Sequence, residues 1–209
     1  MLCRFPSARI HTIGRITCSM ITVIDCNDSY TYNLVAMFRS RRGDISVVNE
    51  HDAGCVRDTD AVVLSPGPGR PSPDRGSWIV AERFLGIRPV FGICLGHQTI
   101  SAVSGGRVEV ARSPSHGELV RILHSGRGLF EGVPNGFRAV RYNSLTVSAD
   151  APGFPMTVDA KDGSGDVMAI SDEERSVYGV QFHPESFMTE YGGMIIDNFI
   201  EVVEQWRRR

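Results

Sequence analysis

Val90-Phe91-Gly92-Ile93-Cys94-Leu95-Gly96-His97-Gln98 decides how the rest of the chain is read. An apolar run ends in Gly-x-Cys-x-Gly and passes directly into a segment of helical character. A sharp strand-to-helix turn of this kind carries a reactive side chain at its tip. Gly92 and Gly96 stand where a Cβ would crowd neighbouring backbone. The first amides of the helix lack intrahelical acceptors and bear partial positive charge, which favours a thiolate. A lone cysteine is more often a buried, inert residue. Here the flanking glycines and the strand–helix context single out Cys94 as a nucleophile.

Outward from this stretch the first half alternates short apolar runs with amphipathic ones. Strands are expected at residues 21–25, 45–48, 61–64 and 90–93. Helices are expected at 30–41, with Ser29 as its cap, at 74–85, and at 95–104, closed by Gly105-Gly106. This βαβ alternation predicts an α/β fold: an open, mostly parallel sheet with helices on both faces. Ligands of such sheets bind beyond the carboxyl ends of the strands, where Cys94 lies. The second half is richer in short strands, at 107–111, 119–123, 137–141, 146–148, 167–171 and 176–182, before a last helix at 193–206. It supplies a small antiparallel addition. No repeat, low-complexity tract or linker divides residues 21–209, and Arg70-Pro71-Ser72-Pro73 reads as a loop within one domain.

A second chemical group lies near the other end. Ser176-Val177-Tyr178-Gly179-Val180-Gln181-Phe182 reads as a buried strand and runs into His183-Pro184-Glu185-Ser186. Proline biases His183 toward extended geometry. Residues i and i+2 of an extended segment point the same way, so His183 and Glu185 share a face. A carboxylate beside an imidazole fixes its tautomer and stabilises its protonated form. A turn with an incidental His and Glu is the ordinary meaning of such a segment. A cysteine nucleophile, however, needs a base, and the base needs an orienting group.

Composition narrows the function classes. A chain of 209 residues fits one domain with a sizeable core. Its formal net charge of -2 and pI of about 6.3 give no basic stripe for nucleic acid. No apolar run approaches the ~18 residues a membrane helix needs. The five cysteines, Cys3, Cys18, Cys26, Cys55 and Cys94, are odd in number and irregularly spaced. Neither a disulfide framework nor a zinc site is expected, and a reducing, cytoplasmic setting fits. Residues 1–20 contain Arg4, Arg9 and Arg15 and no acidic residue. That composition suits an organellar transit peptide or an upstream start codon, and the expectation is a disordered extension.

Five blocks then resemble class I glutamine amidotransferases in order and at plausible spacing. They are Val23-Ile24-Asp25-Cys26-Asn27-Asp28-Ser29-Tyr30-Thr31-Tyr32-Asn33-Leu34, Leu64-Ser65-Pro66-Gly67-Pro68-Gly69, the Cys94 block, Arg141-Tyr142-Asn143-Ser144-Leu145, and Gly179-Val180-Gln181-Phe182-His183-Pro184-Glu185-Ser186. The resemblance covers about residues 21–203. The Asp-Ser-Tyr-Thr-Tyr-Asn block is similar to the small subunits of anthranilate and aminodeoxychorismate synthases. What the resemblance implies is a Cys94–His183–Glu185 triad and an oxyanion hole from the Gly67 and Leu95 amides. It also implies a glutamine pocket formed by Gly67, Pro68, Gly69, Gln98, Ser144 and Leu145, with Arg141-Tyr142 holding that segment. No metal or cofactor is implied. The partners implied are L-glutamine and a larger chorismate-binding synthase subunit. His97 would be a helical histidine packed under the elbow rather than a rival base.

Two positions depart from the family pattern. Asn143 stands where the family usually has His, and His116-Gly117-Glu118 stands where it often has His-Gly-Lys. Both are expected in loops near the pocket or the partner. Three other function classes fit parts of the sequence. A stand-alone thiol hydrolase acting on γ-glutamyl compounds would use the same triad. A silent binding subunit would not need it, nor would a flavodoxin-like nucleotide module.

Overall fold

The computed structural model describes residues 20–41, 44–148 and 153–209. The expected N-terminal extension, residues 1–20, lies outside them except for Met20, which opens the first strand. Among the described residues nine strands form one sheet: β1 (Met20–Asp25), β2 (Asp44–Asn49), β3 (Ala61–Leu64), β4 (Val90–Ile93), β5 (Arg107–His124), β6 (Phe137–Ser148), β7 (Thr157–Lys161), β8 (Val167–Asp172) and β9 (Val177–Val180). Four α-helices among the same residues accompany them: α1 (Thr31–Arg39), α2 (Gly76–Phe84), α3 (Leu95–Val103) and α4 (Gly192–Arg207). The sheet order is β2-β1-β3-β4-β9-β8-β7-β5-β6. The first five strands in that order pair in parallel. The rest continue antiparallel, so the fold is the expected parallel sheet with an antiparallel extension.

Alternation along the parallel strands builds a core on each face. Ile21, Val23, Val63, Phe91 and Ile93 pack under α1 and α4, through Leu34, Phe38, Ile195, Ile196 and Phe199. Ile24, Val62, Leu64 and Val90 face α2 and α3, through Val80, Phe84, Leu95 and Ile100. Strands buried on both faces read as continuous apolar runs, and for that reason β3 and β4 were legible to the residue.

Several expectations are corrected. Segments 107–111 and 119–123 are one strand, β5, and 137–141 and 146–148 are one strand, β6. Pairing continues through the intervening polar residues because irregularities between Val110 and Ser115 and between His116 and Glu118 absorb the extra chain. His116-Gly117-Glu118 and Asn143 therefore lie within paired strands, not loops. Ser29 does not cap α1: Asp28 Oδ1 accepts from the Tyr30 amide at 2.8 Å instead. β7 was not foreseen, because its central Asp159 faces inward and breaks the apolar alternation.

Candidate active site

Parallel pairing of β4 with β9 aligns Ile93 with Val180. Cys94 and the segment beginning at Gln181 therefore leave the sheet at the same end. Cys94 takes φ +52° and ψ -102°, a conformation a non-glycine residue rarely adopts. Its amide donates to Val180 O at 2.8 Å, and its carbonyl accepts from the Gln98 amide at 3.1 Å. The flanking glycines are required by contact. A Cβ on Gly92 would sit 2.4 Å from the Gly96 carbonyl, and one on Gly96 would sit 2.3 Å from Leu64 O.

His183 is fixed at both ends of its backbone. Its amide donates to Val140 O on β6 at 3.0 Å, and its carbonyl accepts from Thr189 Oγ1 at 2.7 Å. Nδ1 lies 2.6 Å from Glu185 Oε1, both side chains being buried. Nδ1 faces that carboxylate, and Nε2 is buried with no hydrogen-bond partner among the described residues. Burial opposes protonation of His183. The Cys94 sulfur and the Glu185 carboxylate outweigh it and hold the imidazole well above its ordinary value. The three residues expected to work together are thus brought together.

The glycine loop is tied from both sides. Ser65 Oγ accepts from the Cys26 amide at 3.0 Å and donates to Pro66 O at 2.7 Å. Arg75 donates to Pro68 O at 2.7 Å and grips Glu50 through two bonds of 2.8 and 2.7 Å. Gly67 comes so near α3 that a Cβ would sit 2.7 Å from Leu95 Cδ2. Neither the Gly67 nor the Leu95 amide has an acceptor among the described residues. Pro68 and Gly69 are exposed beside them. Arg75 and Glu50 belong to this scaffold and were not singled out from sequence, because nothing in their local pattern marks a loop anchor.

Gln98 is buried, not solvated. Its Nε2 donates to Leu145 O at 3.1 Å and to Gln181 Oε1 at 3.0 Å. Leu145 O also accepts from Asn143 Nδ2 at 2.8 Å. Ser144 is exposed, and the ladder passes from Asn143 to Leu145 without giving it a partner. Arg141 anchors this segment. Its buried guanidinium is paired with Asp162 and, at 3.2 Å, with Asp166, and it donates to Asn143 Oδ1 at 2.9 Å.

Tyr30 was missed as a site member, and Tyr142, expected only to hold the Ser144-Leu145 segment, also reaches His183. Tyr30 and Tyr142 stack at 5.7 Å, and both meet the His183 ring edge-on, at 5.8 and 5.3 Å. Both stood in family blocks, but only the fold shows that they converge. Two rival groups are inert by contrast. His97 is wholly buried, and burial pushes its imidazole down to about 3, so it stays neutral. Burial likewise pushes the Cys26 thiol up to about 12. Among the described residues no three His, Cys, Asp or Glu are grouped to hold a metal ion. A surface hollow against Glu109, Arg112, Thr146 and Lys161 holds none of Cys94, His183 and Glu185.

The family model for class-I glutamine amidotransferases matches residues 22–203. The chain belongs to this family. Anthranilate synthase component 2 of Archaeoglobus fulgidus is 44% identical over 185 residues, covering 88% of this chain and 98% of that one. The aminodeoxychorismate/anthranilate synthase component 2 of Bacillus subtilis is 40% identical, covering 87% and 96%. The aminodeoxychorismate synthase component 2 of Escherichia coli is 37% identical, covering 87% and 99%. Among solved structures, a putative GMP synthase subunit from Thermoplasma acidophilum superposes with a TM-score of 0.81 at 24% identity, over 93% of this chain and 98% of that one. That likeness concerns the fold. As a glutamine amidotransferase the chain is an enzyme, and the amidotransferase family spans both the elbow and the His183 segment.

Proposed function

We propose that this amidotransferase hydrolyses L-glutamine with a Cys94–His183–Glu185 triad and passes the ammonia to a larger chorismate-aminating protein. The observation that carries the reading is the buried Glu185–His183 pair, 2.6 Å apart, set beside Cys94 at the carboxyl ends of β4 and β9. His183 takes the Cys94 proton, and the thiolate attacks the side-chain amide carbon of glutamine. The tetrahedral oxyanion accepts from the Gly67 and Leu95 amides, each donor of this kind being worth about 10²–10³ in rate. Protonation by His183 releases ammonia and leaves a γ-glutamyl thioester. Water, deprotonated by the same imidazole, then frees glutamate and the thiol. Glu185 orients the imidazole throughout. Pro68, Gly69, Gln98, Ser144 and Leu145 shape the pocket, Gln98 acting through the Leu145 carbonyl that it holds.

The names of the relatives and the Asp28-to-Asn33 block support anthranilate or aminodeoxychorismate as the partner's product. A partner also suits the surface. Phe187 is 97% exposed two residues after Glu185, and Met188, Tyr191 and Met194 of the following segment are exposed as well. Ammonia released into neutral water becomes non-nucleophilic ammonium, so a covering partner keeps it reactive. No helix among the described residues is long and apolar enough to cross a membrane. The free thiols of Cys26 and Cys94 suit a reducing cytoplasm.

The test is reconstitution with the co-purified synthase partner. Cys94→Ser should abolish glutamine-dependent synthesis and spare ammonia-dependent synthesis. Glutamate release should rise when partner and chorismate are added, since coupling requires differential binding to two states. Full activity of the isolated chain, unchanged by any synthase partner, would instead identify a stand-alone hydrolase of γ-glutamyl compounds.

A further inference from the structure

The two tyrosines over His183 have no part in the proton transfers above, yet they form the outer wall of the imidazole. Tyr30 lies at the start of α1 and Tyr142 lies in β6, so the pair joins elements on opposite sides of the site. Their hydroxyls meet at 3.3 Å, and their rings stack at 5.7 Å with an interplanar angle of 29°. Tyr142 is 37% exposed and Tyr30 is half-buried, whereas His183 beneath them is 2% exposed. The Tyr142 and His183 planes stand at 89°, those of Tyr30 and His183 at 62°. The imidazole makes one hydrogen bond, from Nδ1 to Glu185, and none from Nε2, so hydrogen bonding alone fixes its plane weakly. The two edge contacts restrict rotation of the ring about its Cβ–Cγ bond. Gly117, at φ +80°, lets the β5 irregularity back the Tyr142 ring, where a Cβ would lie 3.0 Å from Cε1. The hydrogen bond shared with Tyr30 pushes the Tyr142 phenol up, so that ring remains neutral.

We propose that Tyr30 and Tyr142 are positioning residues for His183, an aromatic bar that fixes the imidazole plane and keeps water from it. The proposal rests on His183 acting as the base. The ionisable groups facing His183 are Glu185 on its own segment, Cys94 at the head of α3, Tyr30 before α1 and Tyr142 on β6.

The test uses the full chain, with its synthase partner, carrying Tyr30→Ala, Tyr142→Ala, Tyr142→Leu, Tyr30→Phe or Tyr142→Phe. Thermal melts establish that each variant is folded. The Ala and Leu variants should lose about tenfold in kcat, with KM changed less than about threefold. Admitted water should weaken the hold of Glu185 and Cys94 on the imidazole, so the acid limb of activity should move toward the ordinary histidine value. The Phe variants keep the ring contacts and should retain most of the activity. Wild-type kcat and pH profile in the Ala variants would overturn the proposal, as would Phe variants as impaired as Ala, or a loss confined to KM. If wild-type protein released no glutamate, the glutaminase reading would fail instead. The pH dependence of Cys94 alkylation by iodoacetamide would still report the bar's effect on His183.

Discussion

Replacing Gly92 by Ala tests whether the elbow must be as tight as it is. The added Cβ would lie 2.4 Å from both the C and O atoms of Gly96 and 2.7 Å from the His97 amide nitrogen. Ordinary contact begins at 3.4 Å, so β4 and α3 must separate by about 1 Å (3.4 less 2.4). All three atoms are backbone, and no side-chain rotation relieves them. Overpacking of this kind costs about 1–3 kcal/mol, and the rigid neighbours place Gly92→Ala near the upper end. For a domain of this size each kcal/mol lowers Tm by about 2–4 °C, giving a fall of roughly 6–12 °C. A displacement of about 1 Å between nucleophile and oxyanion donors costs on the order of 10² in rate. Gly54→Ala is the control: its Cβ meets nothing within 4 Å, and stability should change by less than about 0.5 kcal/mol. Calorimetry and glutamate release on purified protein measure both quantities. Gly92→Ala melting and hydrolysing glutamine like its parent would refute the steric reasoning. A lowered Tm with unchanged turnover would separate elbow geometry from catalysis.

Other outcomes follow from the buried groups. An electrophilic glutamine analogue should label Cys94 and leave Cys26 untouched, because burial holds the Cys26 thiol near 12; peptide mapping that found the label on Cys26 would overturn the assignment. His183→Ala should cost nearly as much turnover as Cys94→Ser, about 10²–10⁴-fold, and Glu185→Ala less, since it orients rather than transfers. Retained activity in His183→Ala with loss in a folded His97→Leu would reverse those roles. His97 should also shape the pH dependence of stability. Burial lowers its folded value to about 3 against roughly 6.5 unfolded, so its contribution is whole above about pH 6.5 and is lost as pH falls toward 3, at about 1.4 kcal/mol per pH unit. His183 is shifted upward and keeps its contribution in that range. Denaturant melts between about pH 6.5 and 5 should therefore show a steeper loss in wild type than in His97→Leu, and equal slopes would exclude His97 as the source.

The parallel half of the fold was legible because burial on both faces leaves unbroken apolar runs such as Ala61–Leu64 and Val90–Ile93. The elbow was legible because its glycines answer a local steric need. The antiparallel extension was less so. Its strands carry Ser113, Pro114, Ser115, His116 and Gly117, which read as a loop until pairing across the irregularities is seen. Of the site, the groups proposed to react stand in short motifs, and the groups that hold them do not. Glu50 reaches the glycine loop through Arg75, and Tyr30 reaches His183 across the sheet end. Such contacts depend on long-range topology, and no local period encodes them.

Asn143 shows how a departure from the family pattern is accommodated. Arg141 is buried with Asp162 and Asp166, and a buried charge stripped of its partners costs about 3–5 kcal/mol. That anchor extends to the site by a short series of bonds. Arg141 donates to Asn143 Oδ1, Asn143 Nδ2 donates to Leu145 O, and Gln98 Nε2 donates to Leu145 O and to Gln181 Oε1. Gln98 follows Cys94 on α3, and Gln181 precedes His183, so the series touches both halves of the proposed triad. The bridging position needs one acceptor toward Arg141 and one donor toward Leu145. A neutral histidine offers one of each on its ring, and a carboxamide offers the same pair. Asn143 therefore preserves the hydrogen-bond polarity of the usual residue on a shorter side chain. An aspartate there would present only acceptors, set a carboxylate against the Leu145 carbonyl, and break the series at its centre.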